Sequence, residues 1–165
     1  MTDFLSLRAA RSDGRRILIG AFVILVLSPG VGHGDPAAVL DAVIAGRRMT
    51  IERDALIARA ELNDDQDFRI VEVGRDDHSS HHVVAIRDRE QPHRHDRHDL
   101  FVVILRGHGS MLLGDQERPV GLDSILYVPR GTTHAFHNTS GEPAVAYAVY
   151  TPAFDGRDRT PVGID

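Results

Sequence analysis

Residues 92–109 read PHRHDRHDLFVVILRGHG, a polar, histidine-rich lead running into six consecutive apolar residues and closing on glycine. The run from Leu100 to Leu105 is rich in Val, Ile and Phe and is bounded by polar residues and Gly107, which is the pattern of a β-strand. In extended chain, side chains alternate faces, so His93 and His95 project to one side roughly 6.6 Å apart along the backbone. Two imidazoles so placed can converge on one metal ion. Asp99 opens the apolar strand and could bring a carboxylate to the same point, while His98 is its rival if the register shifts by one residue. A site built from one short segment is poorly held, so a distant ligand is needed. The stretch "HAFHN" offers His134 and His137. Nine of the ten histidines fall between His78 and His137, so a solvated polar loop in a histidine-rich chain accounts for the same residues. On spacing alone both readings stay open.

Around this stretch the sequence reads as short strands. "FRIVEVG", "HHVVAIR", "LFVVILR", "GSMLLG", "SILYVP", "THAFHN" and "AVAYAVY" are each bounded by Gly, Pro, Asp or Asn. Their close spacing predicts an all-β sandwich or barrel rather than alternating strand-helix units. Upstream, "DPAAVLDAVIAG" reads as a helix capped by Asp35, with Pro36 at its first position and Gly46 at its end. "TIERDALIARAEL", Thr50 to Leu62, reads as a second short helix, although Thr50 and Ile51 also suit a strand.

Composition narrows the chemistry. The chain has 165 residues and a net charge of −5, which gives no reason to expect a nucleic-acid partner. It contains no cysteine, which excludes thiol nucleophiles, disulfides and cysteine zinc sites. All 19 basic residues are arginine, which excludes a lysine Schiff base. Any chemistry must come from histidine, carboxylate and hydroxyl groups.

The first 34 residues have the order of a secretory signal peptide. Arg8, Arg11, Arg15 and Arg16 precede an apolar run from Ile17 to Leu27, followed by Ser28, Pro29 and small residues. That run is short for a membrane span, which needs about 20 residues. The expected organisation is a leader over 1–34, a helical segment over 35–66 and a β-barrel over 67–165. Cleavage would give a periplasmic or secreted protein free of the membrane, whereas an uncleaved leader would anchor it. A buried N-terminal helix or strand is the competing reading.

Two ordered stretches resemble the motifs of the cupin superfamily. "PHRHDRHDLFVVILRGHG" is similar to the first, a His-x-His followed by an acid and a strand ending in glycine. "GLDSILYVPRGTTHAFHN" is similar to the second, with a strand, Pro-x-Gly, and His and Asn four apart. The resemblance covers about His81 to Tyr150. It implies a single jelly-roll β-barrel with one or two N-terminal helices, and one divalent transition metal (Fe, Mn, Zn, Ni or Cu) held by His93, His95, Asp99 and His134. It also implies a small-molecule ligand in the barrel, handled by a metal-dependent oxygenase, isomerase or decarboxylase or by a non-enzymatic binding module. A homodimer through edge strands is a further candidate.

The departures fall at informative positions. Aspartate stands where glutamate is usual, and Asp99 to Gly107 is one residue longer than the commonest spacing, which calls for a bulge. "LDS" stands where "PGD" is common, so the turn before Ile125 lacks its usual glycine. The tail from Thr151 to Asp158 is expected to close over the barrel mouth. His78, His81 and His82 read first as surface residues, with at most one of His81 and His82 facing inward; His108 reads as exposed in its turn, His137 as on the strand face opposite His134, and Arg130 as an exposed loop residue that could otherwise meet an anionic substrate.

Overall fold

The computed structural model describes residues 39–163; the leader reading falls on residues outside these. The chain starts with a hairpin of β1 (Val39–Ile44) and β2 (Arg47–Glu52), followed by helix α1 (Arg53–Arg59). Ten further strands follow: β3 (Phe68–Arg75), β4 (Ser80–Ile86), β5 (His93–Arg94), β6 (Asp99–Arg106), β7 (His108–Leu113), β8 (Gln116–Gly121), β9 (Ile125–Val128), β10 (His134–Asn138), β11 (Ala144–Thr151) and β12 (Thr160–Pro161).

The last ten strands form two antiparallel five-stranded sheets, ordered β12-β5-β10-β7-β8 and β3-β4-β11-β6-β9. Their crossed order is that of a jelly roll, as the strand runs and the motif resemblance predicted. One core cluster holds Ile86, Leu100, Met111, Val128, Phe136, Ala148 and Tyr150, drawn from strands of both sheets. In β6 the buried residues are Leu100 and Ile104, with Phe101 exposed, so strict alternation fixes which side chains face inward.

The hairpin corrects one expectation. Residues 39–46 were expected to belong to a helix, but Val39–Ile44 is a strand paired with Arg47–Glu52. The apolar spacing that suggested a helix also satisfies a period of two: Leu40, Ala42 and Ile44 are buried to varying degrees while Asp41 and Val43 are exposed. Turn chemistry decides between them. Ala45 and Gly46 both take positive φ, 50° and 74°, which makes the two-residue turn of a hairpin, and glycine serves the turn rather than a helix end. Across the hairpin Arg48 donates to Asp41 at 2.5 Å. The second expected helix is present but shorter, because Thr50–Glu52 completes β2.

The hairpin and α1 explain why β4 is apolar on both faces. Ile51, Leu56 and Ala60 pack with Val83, Ala85 and Val145 in a second core cluster, while Ile86 belongs to the first. A strand covered on both sides loses the alternation of a half-exposed one.

Both departures noted in the sequence have local solutions. The extra residue of β6 is accommodated at Leu105, where pairing with β11 jumps from Arg106–Val145 to Ile104–Ala146. In the "LDS" turn Asp123 itself takes φ 64°, a conformation aspartate tolerates better than most residues. Ser124 N–H then donates to the Gly121 carbonyl at 2.9 Å and Asp123 N–H to the Ile104 carbonyl at 3.0 Å. At Gly109 no side chain fits, since a Cβ would lie 2.1 Å from the His137 carbonyl oxygen on the paired strand β10.

Candidate metal centre

Strand pairing brings the two motifs together. His93 on β5 and His134 on β10 are direct antiparallel partners, so their side chains leave the sheet on the same face. His95, two residues after His93, joins them. The ring centroids of His93 and His134 are 4.3 Å apart, with His95 5.2 Å from His93 and 5.3 Å from His134. The loop between β9 and β10 is tied to the same place, because Gly131 N–H donates to the His95 carbonyl at 2.7 Å. One ring nitrogen from each of the three histidines lies within 4.8 Å of the others, and all three residues are buried.

Hydrogen bonding sets which nitrogen faces inward. His93 Nδ1 donates to the Gln91 carbonyl at 2.9 Å, His134 Nδ1 to the Thr132 carbonyl at 3.0 Å, and His95 Nδ1 to the Asp158 carbonyl. With every Nδ1 carrying its proton toward a backbone oxygen, every Nε2 presents a lone pair. His95 Nε2 is buried with no hydrogen-bond partner among the described residues, an arrangement that carries a desolvation penalty unless something electron-poor occupies the space. Burial and the adjacent His134 ring hold His93 down at about 3. Burial likewise holds His134 at about 4 and lowers His95. The rings are therefore neutral at physiological pH, the form that binds metal. Three convergent neutral imidazoles fit a first-row divalent ion and leave coordination positions open.

Asp99 stands apart from this group. Leu100 faces the core, so alternation turns Asp99 outward, where both of its oxygens are taken by Arg130: the backbone N–H and Nε reach Oδ1 at 2.8 and 3.1 Å and Nη2 reaches Oδ2 at 2.8 Å. The bulge at Leu105 lies at the far end of β6 and does not redirect Asp99. His98, the alternative at this position, has inward parity and is buried, but its Nδ1 is 2.5 Å from Asp158 Oδ2. The structure therefore gathers three of the four residues implied by the resemblance.

Among the other histidines, His82 departs from the expected surface position, being buried at 5% exposure. His137 is half-exposed near Asp88 and Arg89. His81 meets the Tyr147 hydroxyl at 2.6 Å. His82 points inward but bonds Ser80 Oγ at 2.9 Å and meets the Tyr150 ring edge-on.

The tail organises the site through Asp158. Asp158 is buried, and its carboxylate accepts the backbone N–H groups of Asp96 and Arg97 at 3.0 and 2.8 Å as well as the His98 ring. Burial pushes this carboxyl up, but those donors outweigh it and hold the group at about 2. Pairing of Thr160 with Arg94 and of Pro161 with His93 then fixes the tail along β5. Phe154 stacks on Tyr150 at 4.6 Å, and His95 meets both rings edge-on at 5.6 and 5.4 Å.

The triad opens into a cavity of about 510 Å³, within the range of small-molecule sites. Its walls are apolar, from Ile86, Val102, Met111, Leu126, Val128 and Phe136. Five polar residues of the cavity escaped the sequence reading: Arg89, Glu90, Gln91, Tyr150 and Arg159. Glu90 Oε2 accepts the Phe136 N–H at 3.3 Å, and burial raises its carboxyl above the usual glutamate range. Burial, then the nearby Glu90, also raises the Tyr150 hydroxyl. Glu90 lies between strands, with no pattern to single it out.

Residues 80–150 match the family model described as Cupin domain. The fold is a cupin barrel. An uncharacterized protein of Aquifex aeolicus (strain VF5) is 29% identical over 93 residues, covering 56% of this chain and 76% of that one. An uncharacterized conserved protein with a double-stranded beta-helix domain from Klebsiella pneumoniae subsp. pneumoniae superposes with a TM-score of 0.56 at 14% identity, over 66% of this chain and 95% of that chain. Streptomyces PAC13, a nucleoside dehydratase solved with uridine, gives a TM-score of 0.53 at 17% identity, over 66% and 88% of the two chains. At these identities the structural likeness shows the cupin barrel alone, and the candidate metal centre rests on the three histidines described above.

Proposed function

We propose that this protein is an exported member of the cupin superfamily that holds one divalent transition metal through His93, His95 and His134 and uses it on a small oxygen-rich molecule. The observation that carries the reading is the common orientation of the three rings, each Nδ1 bonded to a backbone carbonyl and each Nε2 free at the edge of the cavity. A bound first-row ion would supply Lewis acidity or, if redox-active, oxygen activation at its open positions.

The chain's own residues supply the rest. Apolar walls exclude water and hold the body of a ligand. Glu90, whose carboxyl burial raises above the usual glutamate range, and the Tyr150 hydroxyl are placed to give or take a proton within the cavity. This pair favours an enzyme, acting as an oxygenase, isomerase or decarboxylase, over a non-enzymatic binding module. Export is supported by the basic flank, apolar run and small residues over 1–34.

Elemental analysis of protein purified from its native compartment tests the metal, with close to one transition-metal ion per chain expected. Oxygen uptake and product formation on diketones, phenols and hydroxy acids, repeated with Glu90→Gln, test the enzyme. Metal binding with no turnover on any of them favours the binding module. Mass measurement of the mature N-terminus tests export, since an intact Met1 contradicts cleavage.

A further inference from the structure

Arg159 is the cavity residue that neither the motifs nor the metal site absorb. It lines the cavity beside the histidine triad, with Nη2 3.3 Å from His93 Nδ1. Among the described residues it makes no salt bridge. The other arginine of the cavity wall, Arg89, has Asp88 at 3.4 Å, and Arg130 is taken by Asp99. The backbone on either side of Arg159 is fixed: Asp158 carries hydrogen bonds from Asp96, Arg97 and His98, and Thr160 pairs with Arg94 while its Oγ1 donates to Asp96 Oδ2 at 3.0 Å. A cation held by two anchored neighbours at the entrance of an apolar chamber is an arrangement that recognises an anionic head on an apolar body.

We propose that the cavity is selective for small organic carboxylates, with the carboxylate engaging Arg159 beside the triad and the apolar remainder lying against Val102, Met111, Leu126 and Val128. This rests on the reading of the cavity as a small-molecule site and adds the charge of the ligand. Glu90 forms no ion pair with Arg159 among the described residues; its carboxyl accepts the Phe136 N–H instead, and burial raises it above the usual glutamate range. The planar guanidinium can meet both carboxylate oxygens, which a point charge cannot. Ile86, Phe136 and Phe154 extend the apolar wall beside this head, while Glu90, Gln91 and the Tyr150 hydroxyl leave polar contacts for the rest of the ligand.

The test compares an acid with its neutral isostere, 3-phenylpropanoate and 3-phenylpropanamide, titrated by calorimetry and by ligand-observed NMR into chelator-treated protein. Without metal, any preference for the acid reads the protein's own cation. The wild type should bind the acid about tenfold tighter than the amide, the size expected of a charge-assisted hydrogen bond at a partly open site. That preference should shrink as salt rises. Arg159→Gln should bring the ratio to near unity while the melting curve shows the fold intact, and Arg159→Lys should restore part of it. Equal binding of acid and amide by the wild type, or a preference that survives Arg159→Gln, overturns this inference alone. Failure of both probes at millimolar concentration overturns it together with the small-molecule reading, whereas charge selection in a protein that takes up no metal leaves it standing and removes only the metal.

Discussion

Asp99 and Arg130 form a bidentate pair on the outside of the barrel, with Arg130 Nε and Nη2 3.1 and 2.8 Å from the two carboxylate oxygens. An acid engaged in this way is turned from the triad by the alternation of β6. Replacing Asp99 with Asn should therefore leave metal stoichiometry unchanged and lower folding stability by no more than about 1 kcal/mol, as for other partly exposed ion pairs. His93→Ala or His134→Ala should abolish metal uptake. Elemental analysis of the three variants side by side checks this, and loss of metal from Asp99→Asn with the fold intact would place the carboxylate back in the site.

Asp158 should matter to the metal although it touches none. Its carboxylate fixes the 96–98 loop and its carbonyl orients His95, so Asp158→Ala should weaken metal binding by about 10-fold or more, as for other partners of metal-bound histidines. Competition with a chromogenic chelator measures the change. An affinity equal to wild type would mean that His95 holds its orientation without the Asp158 carboxylate.

Acid should destabilise the metal-free protein earlier than its carboxylates would suggest. Above about pH 6.5 the His93 and His134 rings are neutral in both folded and unfolded chains and contribute no slope. Between there and pH values of about 3 and 4, the unfolded chain takes up protons that the buried rings refuse, so stability falls as pH drops. Each ring contributes up to about 1.4 kcal/mol per pH unit over this window. Urea unfolding of chelator-treated protein at pH 7 and pH 5 should show the drop, and His93→Gln should reduce it.

Gly109 should tolerate no side chain. A Cβ there would sit 2.1 Å from the His137 carbonyl and 2.7 Å from the Phe136 ring, contacts that only a shift of β7 against β10 can relieve. Gly109→Ala should cost about 3 kcal/mol or more, at the severe end for a single substitution. A thermal midpoint within a few degrees of wild type would show that the two strands can separate without unfolding.

The parts legible in the sequence are those with a repeating physical signal. Seven strand runs announced themselves by β-branched and aromatic residues between turn residues, and His93, His95 and His134 lay at spacings that strand pairing turns into one cluster. The hairpin from Val39 to Glu52 was misread because its apolar positions satisfy two periods at once, and the Ala45–Gly46 turn was the only local evidence against a helix. β8 escaped because "QERPVG" is a polar edge strand, where charged residues and proline are tolerated. β5 and β12 are two residues long and carry no pattern. Asp99 is different in kind: the structure buries Leu100 and so turns Asp99 outward, whereas the motif resemblance pointed inward and no sequence pattern settled the parity of β6. Glu90 and Arg159 could not be found locally, because their importance arises from segments distant in sequence meeting at one cavity.

The hydrogen bond from His95 to the Asp158 carbonyl joins residues 63 positions apart. During synthesis, His93, His95 and His134 have all left the ribosome before the tail that orients His95 and lies across their loop. The nascent barrel thus passes through a stage in which its triad is assembled in sequence but unclasped, and contacts of such long range are late to form. An ion captured at that stage would be bound before the His95 ring is fixed, and tail docking would then hold that ring in its liganding orientation.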